Sequence, residues 1–411
     1  MAIADITSGR PSRWGVFTAA PHRMLFLAGG VQFVLTILLW LAELLGRAGW
    51  RPVATLTIPS AWAHGFLMLY GLFPFFIFGF LLTVYPRWMG VEAVPRLRYV
   101  RIFLLLAGGM LLFYAGLFSF KPVVILGVAS YLAGWALAQR ALLDVYRRAQ
   151  TRGAHESALN LALTAGVLGV AAFLAGLVTE TPWLYAGARA IGLWLFLVPV
   201  VFSVSHRMIP FFGQSVLEHY PMVRPRWSLP LLGACVVGHA ALEVLGLARW
   251  LFVFDLPLAG LALYHTFAWN LKRSFEVRLL AMLHLAFLWF GVAMALYAAQ
   301  SLLLFAGGPA LPARAPLHAL GAGFFAGMVL AMASRVILGH SGHALAADDL
   351  TWYCFLGVGA TAAVRVLAEF WPAATQALNI LAAGLWLACL LPWVLRYAPV
   401  LLRPRVDGKP G

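Results

Sequence analysis

Long apolar runs separated by short polar stretches dominate the chain from residue 22 onward. Twelve of these runs reach the roughly 18–25 residues that an α-helix needs to cross the hydrocarbon core of a bilayer. Proline residues fall between most of the runs, where they end helices. The pattern predicts an all-α fold, a polytopic transmembrane bundle of about twelve helices. The predicted helices span residues 22–45, 60–85, 99–118, 121–143, 157–180, 183–205, 229–247, 250–270, 278–305, 316–338, 350–370 and 374–398.

The same pattern divides the chain into one large domain and two short ends. We expect a cytoplasmic N-terminal segment at 1–21, a single transmembrane domain at 22–398 and a cytoplasmic tail at 399–411. The polar end of this tail is predicted to be disordered. The first apolar run is too long for the hydrophobic part of a signal peptide, so we interpret it as the first span.

Composition narrows the class of protein. Of the 411 residues, 63% are hydrophobic and only 10% are charged, whereas soluble domains carry about 25% charged residues. The formal net charge of +15 is concentrated at alternate helix ends. That distribution follows the positive-inside rule and argues against a nucleic-acid partner. It places both termini in the cytoplasm, in agreement with an even number of spans.

Histidines at the starts of predicted helices two and ten are the first candidates for chemistry. His64 and His318 both lie near the outer face, and a histidine inside a membrane-spanning helix is costly unless something binds it. As axial metal ligands from facing helices, the two would hold a haem edge-on within the bundle. Residues on the same helix faces would line the slot: Met68, Gly71, Ala322 and Phe325. The alternative is that each histidine only forms hydrogen bonds at its helix start.

A second candidate metal site lies at the cytoplasmic ends of helices six and ten. His206 ends the first of these helices, and His340 and His343 follow the second. We predict that the three imidazoles converge as metal ligands, for which copper and zinc are equally suited. The alternative is three polar residues in loops at the water interface.

Further polar residues inside the predicted helices are weaker candidates. His265 and His284 lie at like depth on helices eight and nine, where they could bind a metal together or form hydrogen bonds. His239 shares a helix face with Glu243, a pair suited to orienting a metal ligand, to relaying protons or to a local hydrogen bond. Arg189, inside helix six, needs a counter-charge, and a haem propionate is one candidate.

Three sequence segments indicate the protein family more specifically than composition or residue spacing does. They are Gly79-Phe80-Leu81-Leu82-Thr83 through Trp88-Met89-Gly90, Arg207-Met208-Ile209-Pro210-Phe211-Phe212, and His318-Ala319-Leu320 through Arg335 to Gly339-His340-Ser341-Gly342. Together they resemble the NnrS family, polytopic bacterial membrane proteins described as haem- and copper-containing and tied to nitric oxide metabolism or tolerance. The resemblance covers most of the chain.

The resemblance implies an inner-membrane protein that binds, senses or turns over nitric oxide or a related species in nitrosative stress or denitrification. It implies a b-type haem, copper as a further cofactor, and activity as a haem-dependent oxidoreductase. The implied partners are membrane lipid, nitric oxide or a similar small ligand, and a quinone or other respiratory electron donor.

One departure from the family concerns the start of helix two. The family often has a His-x-His-Glu cluster there; His64 is kept, but Phe66 and Leu67 replace the second histidine and the glutamate. A metal site built from all three ligands therefore does not carry over, whereas a single axial histidine does.

Other interpretations of the sequence stay open. A twelve-helix secondary transporter without a redox cofactor has the same layout, although no half-repeat is apparent. A cofactor-free scaffold for respiratory assembly would also fit. The catalytic subunit of haem-copper oxidases offers a fold-level analogy, with twelve spans and haem ligands from helices two and ten. The adjacent histidine pair of its copper centre is absent from this chain.

Overall fold

Twelve long helices form the structure, a computed structural model that describes residues 12–52, 55–309, 311–312 and 314–408. No strand occurs among these residues. The all-α class predicted from the apolar runs is confirmed, and the protein is a multi-pass membrane protein. The helices are α1 (Pro21–Arg47), α2 (Ser60–Trp88), α3 (Arg96–Leu117), α4 (Lys121–Arg148), α5 (Ala154–Thr179), α6 (Pro182–Val216), α7 (Ser228–Val244), α8 (Phe252–Ala268), α9 (Arg278–Phe305), α10 (Ala315–His340), α11 (Asp349–Phe370) and α12 (Pro372–Leu402). A five-residue helix, Arg13–Phe17, precedes them.

Ten of the twelve helices in the described part of the chain are long and apolar enough to cross a membrane. The exceptions are α7 and α8, which have 17 residues each. Such a helix is about 25 Å long, slightly less than the roughly 30 Å of hydrocarbon in a bilayer. The two pack against each other, and α8 also packs along α9. The predicted spans are therefore supported for ten helices, and the other two form a shorter pair.

The interior of the bundle is formed by α2, α6 and α10. In the most apolar window of α10, 94% of the positions are buried, against 28% in α12, which faces outward. Outer helices pack on each inner one: α1 and α4 on α2, α5 and α7 on α6, and α9 and α11 on α10. Since the inner helices are four apart in chain order, the bundle consists of three consecutive four-helix units, each with its second helix inside. This repeat is not visible in the sequence.

Each inner helix contains a π-helical stretch. The stretches are Leu67–Leu72 in α2, Ile191–Leu197 in α6 and Ala319–Ala326 in α10. They begin one to three residues after His64, Arg189 and His318 respectively, so three polar side chains hold equivalent positions in the three units. π-Helical turns are rare and occur frequently at functional sites. In each inner helix, the polar side chain and the π-helical stretch therefore lie near one end of the helix and not near the other.

Tyr70 holds α2 against α6. Its hydroxyl donates a hydrogen bond of 2.6 Å to the carbonyl oxygen of Ala188. The ring lies against Gly169 of α5 and Gly192 of α6, and a Cβ atom at Gly192 would come within 2.7 Å of it. This close approach requires glycine on both neighbouring helices.

The two ends of the described chain lie at the same end of the bundle. Arg23, near the start of α1, donates hydrogen bonds to the carbonyl oxygens of Leu401 at 3.0 Å and Arg403 at 2.8 Å. We call this end the basic face and the other end the opposite face. The charge distribution of the sequence predicts that the basic face is cytoplasmic.

The polar tail folds back on the basic face. Arg405 donates a hydrogen bond of 2.9 Å to the carbonyl oxygen of His340 at the end of α10. The polar composition predicted disorder here, but these long-range hydrogen bonds hold the segment through Gly408, and α12 itself continues to Leu402. Residues 1–11 of the predicted N-terminal segment and 409–411 of the predicted tail lie outside the described residues.

Candidate cofactor site and neighbouring polar clusters

His64, near the opposite-face end of α2, is a candidate ligand because one of its ring nitrogens has no hydrogen-bond partner. Its ring stacks on Trp40 of α1, with the ring centroids 4.0 Å apart and the planes 16° from parallel. Its Nδ1 atom is buried and has no hydrogen-bond partner. A buried polar atom left unpaired costs free energy, so such an atom calls for an explanation. A bound group that engages the imidazole would supply one.

A cavity of about 370 Å³ lies beside His64, between α1, α2 and α3. Its walls are largely apolar, with Leu38 and Leu111 on two sides, and Arg51 and Glu43 add charge at its border. Arg47 donates a hydrogen bond of 2.9 Å to Glu43. Ligand pockets in proteins commonly measure about 300–1,000 Å³. Leu38 and Leu111 are exposed, so the cavity is an open groove on the outside of the bundle, with an apolar wall and both an acidic and a basic side chain at its border.

His318, directly before the π-helical stretch of α10, has protein partners on both ring nitrogens. Its Nδ1 lies 2.8 Å from the carbonyl oxygen of Arg314, and Arg365 of α11 lies 2.8 Å from its Nε2. Arg365 also forms an ion pair of 2.9 Å with Glu369. Ligation of a metal by Nε2 would require Arg365 to move.

The two histidines predicted to face each other lie in the same region of the opposite face. His64 and His318 are close enough to interact electrostatically, and the Arg365 guanidinium acts on both. One helical turn further along, Met68 and Ala322 are partly exposed. The cavity beside His64 is not lined by Met68, His318 or Ala322.

Two residues predicted to line the slot point elsewhere. Gly71 faces Met110 of α3, and a Cβ atom there would lie 3.3 Å from the Met110 methyl carbon. Phe325 is buried against Phe73, with ring centroids 5.7 Å apart. Both residues lie within π-helical stretches. The wider turns of a π-helix change which residues share a face, so the α-helical spacing used for the prediction did not apply.

Toward the basic face, the neighbours of His206 are His155 and His265. Neither was predicted to lie beside it. Its Nδ1 is 2.9 Å from Nε2 of His155, and its ring centroid is 5.1 Å from that of His265. Nε2 of His265 is 3.0 Å from the hydroxyl of Ser228, so the partner of His265 is Ser228 rather than His284. His206, His265 and His284 each retain one buried ring nitrogen without a hydrogen-bond partner.

The other two histidines of the predicted metal site have separate partners. His340 packs on His22, with ring centroids 4.8 Å apart, and Nδ1 of His343 is 2.9 Å from the hydroxyl of Ser341. Among the described residues, no three His, Cys, Asp or Glu side chains are grouped so that they could hold a metal ion. The predicted convergence of His206, His340 and His343 is thus absent. His206 does not end its helix: α6 continues to Val216, and His206 lies beside His155 and His265 instead.

A polar network, buried at His239 and Asp255 and exposed at Arg189, connects α6, α7 and α8. Arg189 donates a hydrogen bond of 2.8 Å to one oxygen of Glu243, and the indole of Trp194 donates one of 2.8 Å to the other. One turn earlier on α7, Nδ1 of His239 lies 2.6 Å from a carboxylate oxygen of Asp255. The counter-charge that Arg189 requires is therefore Glu243, and His239 is paired with Asp255.

The loop between α6 and α7 adds fixed polar groups at the basic face. Burial raises the pKa of Tyr220 to about 12, and its hydroxyl donates a hydrogen bond of 2.8 Å to the carbonyl oxygen of Trp269. Burial and the nearby Arg207 guanidinium lower the pKa of Arg224. The tyrosine is neutral at physiological pH, so it serves the loop as a hydrogen-bond donor.

Asp255, His155 and His22 belong to these clusters but were not predicted as site residues. Asp255 carried a usable signal, because a carboxylate inside an apolar helix needs a partner. His155 and His22 stand at helix starts in the sequence, where a histidine commonly faces water. The packing of α5 on α6 partly buries His155, and the packing of α1 near the end of α10 buries His22.

This geometry defines a class of protein: a polytopic helical membrane protein with histidines and arginines beside π-helical turns. The sequence profile of the NnrS protein family matches residues 16–405, nearly the whole chain. The chain belongs to the NnrS family, and at family level it is a nitric-oxide-related membrane protein; this membership does not favour a secondary transporter. No curated protein matches the chain.

Proposed function

We propose that the protein binds a b-type haem near the opposite-face ends of α2 and α10, and through it binds, senses or turns over nitric oxide or a related species in the bacterial inner membrane. The observation that carries the proposal is His64, whose imidazole borders a cavity while its buried Nδ1 has no partner. Histidine is a common axial ligand of haem iron.

The apolar wall of the cavity and the basic residues near it support the same assignment. A haem has a flat apolar ring and two anionic propionates. The leucines of the cavity wall would contact the ring, while Arg51 and the neighbouring Arg47 would face the propionates. Trp40, stacked on His64, would hold the imidazole plane in a fixed orientation.

His318 is the candidate for a second ligand in this proposal. Its Nε2 is occupied by Arg365, so His64 would act as the first ligand and His318 would join only when Arg365 withdraws. While Arg365 stays in place, His64 would hold the haem by itself, and the haem would supply the binding site for nitric oxide. Binding and sensing need no electron donor, whereas turnover needs one, such as a quinone.

Copper fits the described residues less well. The histidines near the basic face are divided between two groups, and neither provides three donor side chains in a metal-binding arrangement. At the start of α2, Phe66 and Leu67 provide no metal-binding atoms. We therefore assign no residue to copper and route no part of the proposed function through it.

The test is the haem content and absorption spectrum of the purified full-length protein, oxidised, reduced and exposed to nitric oxide. We expect a Soret band that shifts on reduction and on addition of nitric oxide. His64→Ala should lose most of the haem. His343→Ala, the same substitution at a histidine on the basic face, should retain it.

Two further variants test the assignment of His318. Arg365→Leu should increase the six-coordinate, low-spin fraction by freeing Nε2, and His318→Ala should remove that fraction. Unchanged haem content and spectrum in His64→Ala would contradict the proposed ligand. A protein that neither contains haem nor takes it up when it is supplied would contradict the proposed function.

A further inference from the structure

A second, smaller cavity lies where the three inner helices meet. Side chains from α1, α2, α6 and α10 line it, among them Phe76, Phe80, Val204, Met328 and Met332. About 50 Å³ of its volume is open to the centre of a water-sized sphere. On this kind of measure a single water needs only about 10–15 Å³. The cavity is therefore large enough for a small molecule.

The wall of this central cavity contains no polar side chain. A buried water requires two to four polar partners, and the backbone groups of the surrounding helices are already bonded within those helices. Apolar cavities without such partners stay dry and take up apolar solutes such as xenon. The chemistry of the wall thus selects against water and in favour of small apolar molecules.

An empty cavity among the inner helices of a bundle is unusual. Protein interiors are close-packed, with few voids larger than a water molecule. Val204 and Met332 nevertheless retain 9% and 8% of their accessible surface, although they lie on inner helices. A larger residue at Val204 or Ala333 would fill the gap. The two methionines add polarizable sulfur atoms, which strengthen dispersion contacts with an apolar guest.

We propose that the central cavity is a binding site for small apolar gas molecules of diatomic size. It lies apart from the proposed haem site, since Phe76 is twelve residues, about three helical turns, further along α2 than His64. Nitric oxide belongs to this class of ligand, and the cavity would hold it within the bilayer. Binding in the cavity itself requires no haem.

Xenon is the probe that tests this site. Crystals of the full-length protein, pressurised with xenon, should show an anomalous-scattering peak between Val204 and Met332. Val204→Phe should abolish the peak by filling the cavity. Val237→Phe makes the same change on the outer surface of α7, where Val237 is 58% exposed, and should leave the peak at wild-type occupancy.

A second filling variant on another helix, Ala333→Leu, keeps the test valid if Val204→Phe does not fold. His64→Ala should keep the xenon peak, which separates this proposal from the proposed haem site. The proposal is overturned if the wild-type cavity shows no xenon peak, if it contains ordered water instead, or if the peak persists in the filling variants.

Discussion

Removal of the Asp255 carboxylate should be one of the most destabilising single changes in this protein. In Asp255→Ala, Nδ1 of His239 loses its partner at 2.6 Å, and the hydroxyl of Ser301 loses an acceptor at 3.2 Å. Asp255 is 0% exposed and His239 is 1% exposed. Water cannot replace the lost hydrogen bonds without opening the contact between α7 and α8.

The expected loss of unfolding free energy depends on which buried polar groups each substitution leaves without a hydrogen-bond partner. Leaving one buried polar group without its hydrogen-bond partner costs about 1–3 kcal/mol of unfolding free energy, and more where that group is charged. Asp255→Asn keeps an acceptor for His239 and should cost about 1–2 kcal/mol. Replacing both members, as in Asp255→Ala with His239→Leu, should restore much of the stability, since no polar group is then left unpaired.

Glu243→Gln provides a matched control in the same network. Its partner Arg189 has a side chain that is 55% exposed, so solvent screens this ion pair. The substitution should cost no more than about 1 kcal/mol. Similar losses for Glu243→Gln and Asp255→Ala would show that burial does not govern these energies.

The assay is reversible unfolding of the purified protein in mixed lipid–detergent micelles, with the free energies of the single and double variants combined in a double-mutant cycle. Non-additivity of more than about 1 kcal/mol is expected for two residues in direct contact. A double variant that loses the sum of the two single losses would contradict this prediction, because the two residues would then not be coupled.

The remaining predictions concern orientation and helix packing. A reporter fused after Arg152 should be cytoplasmic and one fused after Lys121 periplasmic; the reverse result would invert the assignment of the two faces. Gly169→Ala should lower the unfolding free energy by about 1–3 kcal/mol, because the added methyl group overlaps the Tyr70 hydroxyl. Gly187→Ala meets open space and should cost less in the same unfolding measurement, and equal losses would contradict the packing argument.

The candidate site was only partly predictable. His64 and His318 could be found because a polar side chain in an apolar helix stands out in any sequence. Their surroundings could not, since they depend on which helices are neighbours. Arg365 reaches His318 from α11, and Gly71 faces Met110 because it lies in a π-helical stretch. Neither contact leaves a periodic signal in the chain.

The sequence by itself determined the class of protein, the all-α fold and the approximate position of each helix. It could do so because insertion of a helix into hydrocarbon depends on the composition of that segment alone. Tertiary structure decided which helices lie inside, where π-helical turns interrupt them, and which polar groups meet. The pairing of His239 with Asp255 and the grouping of His155, His206 and His265 arise from contacts between separate helices. Those contacts depend on the shapes of the side chains that face each other. The hydropathy of a segment contains no information about those shapes.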